Sequence, residues 1–216
     1  MKMFQRPTYL KQLIQFKDSD FIKVITGVRR SGKSVLLMLF KEYLLQENVE
    51  EDHIIYMNFE SFDYQTITTE EKFRQKLNEL IPKDNKKIYL LLDEIQVVEG
   101  WQRVVNGIRV SFDSDITITG SNANMLSGEL ATLLSGRYIE IPIYPFSFHE
   151  FLSVKGIETN SRKVDGAYDE YEKLIKQESI MMEKIQKMTR LRQKKNSIDN
   201  KINQKRNEIT SEIDIK

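Results

Sequence analysis

The sequence predicts an α/β domain, a parallel β-sheet flanked by helices, followed by a basic helical tail. Three stretches carry that prediction. Residues 21–45 (FIKVITGVRRSGKSVLLMLFKEYLL) run from an apolar, β-branched segment to Gly27, through the spacing G-x-x-x-x-G-K-S that ends at Ser34, into a helical apolar pattern. Residues 87–94 (KIYLLLDE) form a near-continuous apolar run ending in two acids, the pattern of a strand buried on both faces of a helix-covered parallel sheet. After Gly166 the composition changes: residues 164–216 contain no proline, tryptophan or phenylalanine, and no glycine or aromatic residue follows Glu172.

Composition narrows the chemistry. The 216 residues suffice for one α/β domain with an ordinary core and an additional segment. With no cysteine and only His53 and His149, disulfides, thiolate metal sites and multi-histidine metal sites are excluded. No apolar run reaches the ~18 residues of a membrane span, and MKMFQRPTYLKQLIQF lacks the apolar core of a signal peptide. A cytoplasmic protein is expected. The formal net charge of +1 argues against a globally basic nucleic-acid binder, yet Lys184 to Arg206 contains Asp199 as its lone acid.

The elements follow in order. Arg6 to Lys17 opens with a proline and sets Leu10, Leu13 and Ile14 at helical spacing, predicting a short amphipathic helix. The first strand then delivers the loop Gly27, Val28, Arg29, Arg30, Ser31, Gly32, Lys33, Ser34, whose spacing is that of a P-loop. Glycines let such a backbone wrap phosphate oxygens, its N–H groups point inward, and the helix that follows presents its positive end. Lys33 is expected to reach the β- and γ-phosphates of a nucleotide, and Ser34 to give a hydroxyl to Mg2+. Arg29 and Arg30 are read either as solvated or as extra cations near the phosphates or an adjacent subunit.

His53 to Phe59 reads as the second strand, and Asp63 to Leu80 contains a helix with Phe73, Leu77 and Leu80 on one face. His53 is expected to be structural or on the surface. At the carboxyl end of the buried strand, Asp93 is placed to hold the metal and Glu94 to deprotonate an attacking water. A carboxylate directly after the metal aspartate favours ATP hydrolysis over phosphate transfer to a small acceptor. Gly100 to Phe112 reads as a helix and Asp115 to Thr119 as the next strand. Asn122, or failing that Ser121 or Thr119, is the candidate γ-phosphate sensor; a turn and helix N-cap is the competing reading. Tyr138 to Ile143 is the fifth strand. Arg137, just before it, is read as an arginine finger acting from a neighbouring subunit or as a strand-end surface arginine. His149 is expected to be at the surface or in packing.

The stretches RPTYLKQLIQF, IKVITGVRRSGKSVLL, YLLLDEIQVVEGWQ, ITITGSNANMLSGELATLLSGRY and IPIYPFSFHEFL together resemble a family of bacterial and archaeal AAA-like P-loop ATPases that carry a C-terminal domain of unknown function. The resemblance covers about Arg6 to Gly156. It implies an ASCE-type sheet, Lys33 and Ser34 as Walker A, Asp93 and Glu94 as Walker B, the Gly120-Ser121-Asn122 turn as sensor region, and a nucleotide-responsive Arg137. It also implies adenine rather than guanine, and no N/T-K-x-D motif is present.

The resemblance ends near Tyr168, where family members run on into a long second domain. The expected organisation is therefore an ATPase domain over residues 1–156 and a basic tail over 157–216, a truncated or divergent second domain. The tail is expected to form one or two helices, a weak coiled coil or a partly disordered segment. The function expected is Mg2+-dependent ATP binding and hydrolysis coupled to an unknown partner or nucleic-acid load. The alternative is a nucleotide-dependent switch or assembly subunit with little turnover, which self-associates or docks to a protein through the tail.

Overall fold

Five parallel strands build one sheet in the order β2-β3-β4-β1-β5. The structure is a computed structural model that describes residues 4–120 and 136–213. Its strands are β1 (Ile22–Gly27), β2 (Ile54–Asn58), β3 (Ile88–Asp93), β4 (Ser114–Gly120) and β5 (Tyr138–Ile143). The chain divides into two compact units, Met1–Ser147 and Phe148–Lys216.

In the first unit α1 (Pro7–Gln15), α2 (Lys33–Gln46), α3 (Glu70–Leu80) and α4 (Trp101–Ser111) surround the sheet. Alternation along β3 explains the two layers. Ile88, Leu90 and Leu92 join Phe73, Leu77, Trp101, Val104 and Ile108 of α3 and α4 in one core. Tyr89 and Leu91 join Leu13 of α1 and Leu36, Leu37, Phe40 and Leu44 of α2 in the other. Every residue of β3 is buried, which is why its sequence is apolar throughout rather than alternating. The predicted second strand begins one residue late: His53 closes a short 3-10 turn, Glu51–His53, and β2 starts at Ile54.

At the amino ends of the strands lies a buried polar cluster. Lys23 of β1 and Asp115 of β4 are both fully buried, with Lys23 Nζ 2.7 Å from Asp115 Oδ1. Asp115 Oδ2 accepts from the Asp18 N–H at 2.7 Å, and the Tyr89 hydroxyl donates to Asp18 Oδ1 at 2.7 Å. Burial pulls the Lys23 ammonium below the usual lysine value, and the charge of Asp115 opposes that pull. This cluster fastens the α1–β1 turn to the end of the sheet farthest from the P-loop.

His53 is buried and bridges carboxylates. Its Nε2 lies 3.1 Å from both Asp84 oxygens, and its Nδ1 lies 2.7 Å from Asp52 Oδ1 and 3.5 Å from Glu50 Oε2. The hydrogen bond to Asp84, reinforced by Asp52, raises the imidazole above its ordinary value. A raised folded-state value stabilises the fold fully below the unfolded pKa of about 6.5, and that stabilisation disappears as pH rises through the folded value. Urea midpoints between about pH 6 and about pH 8.5 are therefore expected to fall more steeply for the wild type than for His53→Asn. Parallel profiles would contradict this.

In the second unit α5 (Phe148–Lys155) precedes α6 (Val164–Ile213). Phe151, Leu152 and Ala167 form a small core, with Phe148 edge-on to Tyr168 at 5.1 Å. At 50 residues α6 is roughly 75 Å long. Met188 and Ile198, two of its apolar residues, are exposed. Of the open readings of the tail, a single long helix is what this structure describes. Among the described residues, no helix is long and apolar enough to cross a membrane.

Candidate functional site

The carboxyl ends of β1, β3 and β4 come together at one edge of the sheet, because all three strands are parallel and β4 lies between the other two. From β1 the chain enters the loop at Gly27 (φ 153°). A Cβ at Gly27 would lie 2.4 Å from the Ile143 carbonyl oxygen and 2.8 Å from Ser31 Oγ, so only glycine fits. Arg30 (φ 67°) and Gly32 (φ 96°) adopt left-handed conformations that curl the loop before α2 begins at Lys33. Such a curl turns successive N–H groups toward one concavity, where an anion binds. Ser31 Oγ is buried without a hydrogen-bond partner among the described residues, as expected of a hydroxyl placed for a ligand.

Lys33 is buried, 4% exposed, and its ammonium is folded back on the site. Nζ donates to the carbonyls of Gly27 (3.2 Å) and Val28 (3.3 Å) and lies 3.3 Å from Glu94 Oε1. Arg29 and Arg30 are exposed, and Arg29 pairs with Glu60 at 3.2 Å. Ser34, the second residue of α2, is half-buried.

Asp93 is fully buried at the end of β3. The Thr119 hydroxyl donates to its Oδ1 at 2.6 Å and the Tyr56 hydroxyl to its Oδ2 at 3.2 Å. Burial first, then the charge of Asp93, pushes the Tyr56 hydroxyl up to about 12, so Tyr56 stays a donor at neutral pH. Glu94 follows in a left-handed conformation (φ 55°). Its N–H donates to Thr119 Oγ1 at 2.9 Å, and its Oε2 accepts from Gln96 Nε2 at 2.6 Å. Thr119, on the adjacent strand, thereby ties the two acids to each other.

The structure thus gathers Gly27 to Ser34, Asp93, Glu94 and Thr119 at one place. Asn122 and Ser121 lie outside the described residues, and β4 ends at Gly120. Arg137 is not brought there within the chain. Its carbonyl accepts from the Ile22 N–H at 3.0 Å, at the start of β1 and β5. That is five residues along the strand from Gly27, roughly 17 Å, and its side chain is exposed. His149 is exposed.

Sequence reading missed three supports. Tyr56 and Gln96 hold the two acids. Arg6 is buried, and its Nη1 donates to the carbonyls of Ser31 (3.0 Å) and Tyr144 (2.8 Å), with its guanidinium 4.4 Å from the Tyr9 ring centre. It fastens the P-loop to α1 and to the segment after β5. Its only sequence signal is its place before Pro7.

A family model described as an AAA domain matches residues 19–152. An uncharacterized protein of Haemophilus influenzae is 60% identical over 180 residues, covering 83% of this chain and 45% of that one. An uncharacterized protein of Methanocaldococcus jannaschii is 37% identical over 146 residues, covering 65% of this chain and 30% of that one. The chain therefore spans less than half the length of these relatives. Among solved structures, the Hsp104–casein complex of Saccharomyces cerevisiae superposes with a TM-score of 0.51 at 13% identity, over 71% of this chain and 29% of that one. AMPPCP-bound DnaA from Aquifex aeolicus gives 0.50 at 17% identity, over 76% and 56%. At such identities the likeness is one of fold.

Proposed function

The chain belongs to the AAA-domain family, and on that premise we propose that it binds ATP in the Gly27–Ser34 loop and hydrolyses it with Mg2+. The observation that carries this reading is the juxtaposition of Lys33 with Glu94 at 3.3 Å beside the buried Asp93. A phosphate-binding cation and a carboxylate poised for water are what phosphoryl transfer to water requires.

Loop N–H groups and Lys33 hold the phosphates, and the curled backbone with the unpartnered Ser31 hydroxyl fits an anion. Ser34 and Asp93 are the residues that would hold Mg2+. Both offer hard oxygen donors, and each Asp93 oxygen keeps lone pairs beyond the one side-chain hydrogen bond it accepts among the described residues. When bound, the metal offsets charge on the phosphate oxygens. Glu94 takes a proton from water as the water oxygen bonds to the γ-phosphorus. The bond from that phosphorus to the β-phosphate bridging oxygen breaks, and its electron pair leaves with ADP.

Thr119 is a positioning residue for both acids, and Asn122 is proposed as the γ-phosphate sensor. Arg137, at the opposite edge of its own sheet, acts as a finger only on a neighbouring copy. The long helix α6, basic over Lys184 to Arg206, is proposed to couple nucleotide state to a protein or nucleic-acid partner.

A second reading, a nucleotide-dependent switch with little turnover, is favoured by one observation: Lys33 and Glu94 occupy each other. The test is ATP hydrolysis per milligram across protein concentrations, with Lys33→Ala as the blank. Specific activity that rises with concentration, and a Lys33→Ala loss of about 100-fold or more, support an ATPase completed between copies. Binding of ATP with turnover at the blank level throughout favours the switch. If neither binding nor turnover distinguishes the wild type from Lys33→Ala, both readings fail.

A further inference from the structure

We propose that Gln96 is a positioning residue for hydrolysis, holding the Glu94 carboxylate with its amide N–H so that the base faces the attacking water. The proposal rests on the ATPase reading of the same site.

The local geometry leads to it. Glu94 takes a left-handed turn at the end of β3, and the short 3-10 turn Ile95–Val97 follows at once. That reversal carries residue 96 back to residue 94, so Gln96 Nε2 donates to Glu94 Oε2 at 2.6 Å. The turn is anchored on both sides: Ile95 and Val98 are 0% and 1% exposed, and the Val98 N–H donates to the Ile95 carbonyl at 3.0 Å. Gln96 therefore sits on a rigid support rather than on a loose loop.

The other end of the amide is enclosed. Gln96 Oε1 is buried and has no hydrogen-bond partner among the described residues. Solvent therefore does not compete for the side chain from that side, and the amide is held by the turn beneath it and by its contact with Glu94.

Gln96 also differs from Lys33 as a holder of Glu94. Lys33 grips Oε1 at 3.3 Å only until phosphates compete for the ammonium. The Gln96 contact is to Oε2 and draws on no group that binds nucleotide. When Lys33 turns to the phosphates, Glu94 keeps one fixed hydrogen bond and becomes the strongest nearby acceptor. Because the amide is neutral at every working pH, it orients the base without altering its charge.

The experiment compares the wild-type chain, Gln96→Leu, Gln96→Glu and a Lys33→Ala blank, measuring kcat, KM, nucleotide affinity and melting temperature. Gln96→Leu keeps the shape and removes both hydrogen-bonding ends. It is expected to lower kcat about 10- to 100-fold while KM and nucleotide affinity stay within about 2-fold. In Gln96→Glu a protonated carboxyl restores one donor and one acceptor, whereas an ionised one repels Glu94. The ratio of its kcat to that of the wild type is therefore expected to rise as pH falls from about 8 to about 5.5. A residue that only supports the fold would leave that ratio flat.

Wild-type turnover above the blank together with unchanged kcat in Gln96→Leu overturns this proposal alone, and so does a pH-independent ratio in Gln96→Glu. Wild-type turnover no higher than the blank overturns the ATPase reading and this proposal with it. Should Gln96→Leu fail to fold, the near-isosteric Gln96→Glu profile decides.

Discussion

Glu94→Gln is expected to slow ATP hydrolysis by about 10²- to 10⁴-fold, the usual worth of a positioned general base, without weakening nucleotide binding. The substitution keeps the size of the side chain, and an amide still forms hydrogen bonds with Gln96 and Lys33. What it removes is the ability to accept the water's proton. It also removes the charge that now holds Lys33 at 3.3 Å. Phosphates binding to the wild type must displace that carboxylate from the ammonium; in the variant they displace only a neutral amide. ATP affinity is therefore expected to equal or exceed that of the wild type. Fluorescent-nucleotide titration and phosphate release on the same preparation check both halves. Turnover close to wild type would remove Glu94 as the base, and markedly weaker binding would show that the carboxylate supports the loop rather than competing for its lysine.

The largest expected effect on stability lies at the other end of the sheet. Asp115→Ala leaves the fully buried Lys23 ammonium without the carboxylate 2.7 Å away. It also removes the acceptor of the Asp18 N–H. Breaking one side of a buried ion pair costs about 3–5 kcal/mol, since the remaining charge stays out of water with nothing to balance it. For a chain of this size the melting temperature is expected to fall by on the order of 10 °C. The double variant Lys23→Met, Asp115→Leu removes both charges and keeps the volume filled, so it is expected to recover most of the loss. Calorimetry on the two variants separates the ideas. A single variant within about 1 kcal/mol of wild type would mean that water reaches Lys23 after the carboxylate is gone.

Some of this architecture was legible in advance because its signals are local. The apolar run Tyr89 to Leu92 could only be a strand covered on both faces, and alternate residues do enter the two cores. Tyr138 to Ile143 was bounded as observed, since glycine and proline mark its surroundings. The P-loop spacing carries its own geometry: Gly27 has no room for a Cβ, and Gly32 needs a left-handed backbone.

Contacts between distant segments were not legible. Thr119 was one of three sensor candidates; only the register of β4 beside β3 puts its hydroxyl between Asp93 and Glu94. Nothing in the spacing of Arg6 tells that it reaches Ser31, 25 residues away. For His53, structural and surface readings stood together until Asp84 was found across the ring.

By itself the sequence determined the class of fold, the phosphate-binding loop and the pair of acids, because each depends on neighbouring residues and backbone conformation. Only the tertiary structure decided that Lys33 rests against Glu94, that Gln96 and Thr119 hold the acids, and that Arg137 lies at the far edge of its own sheet. Those relations depend on strand order and register. Strand order and register follow from burying many apolar faces at once, which no single stretch of the chain encodes.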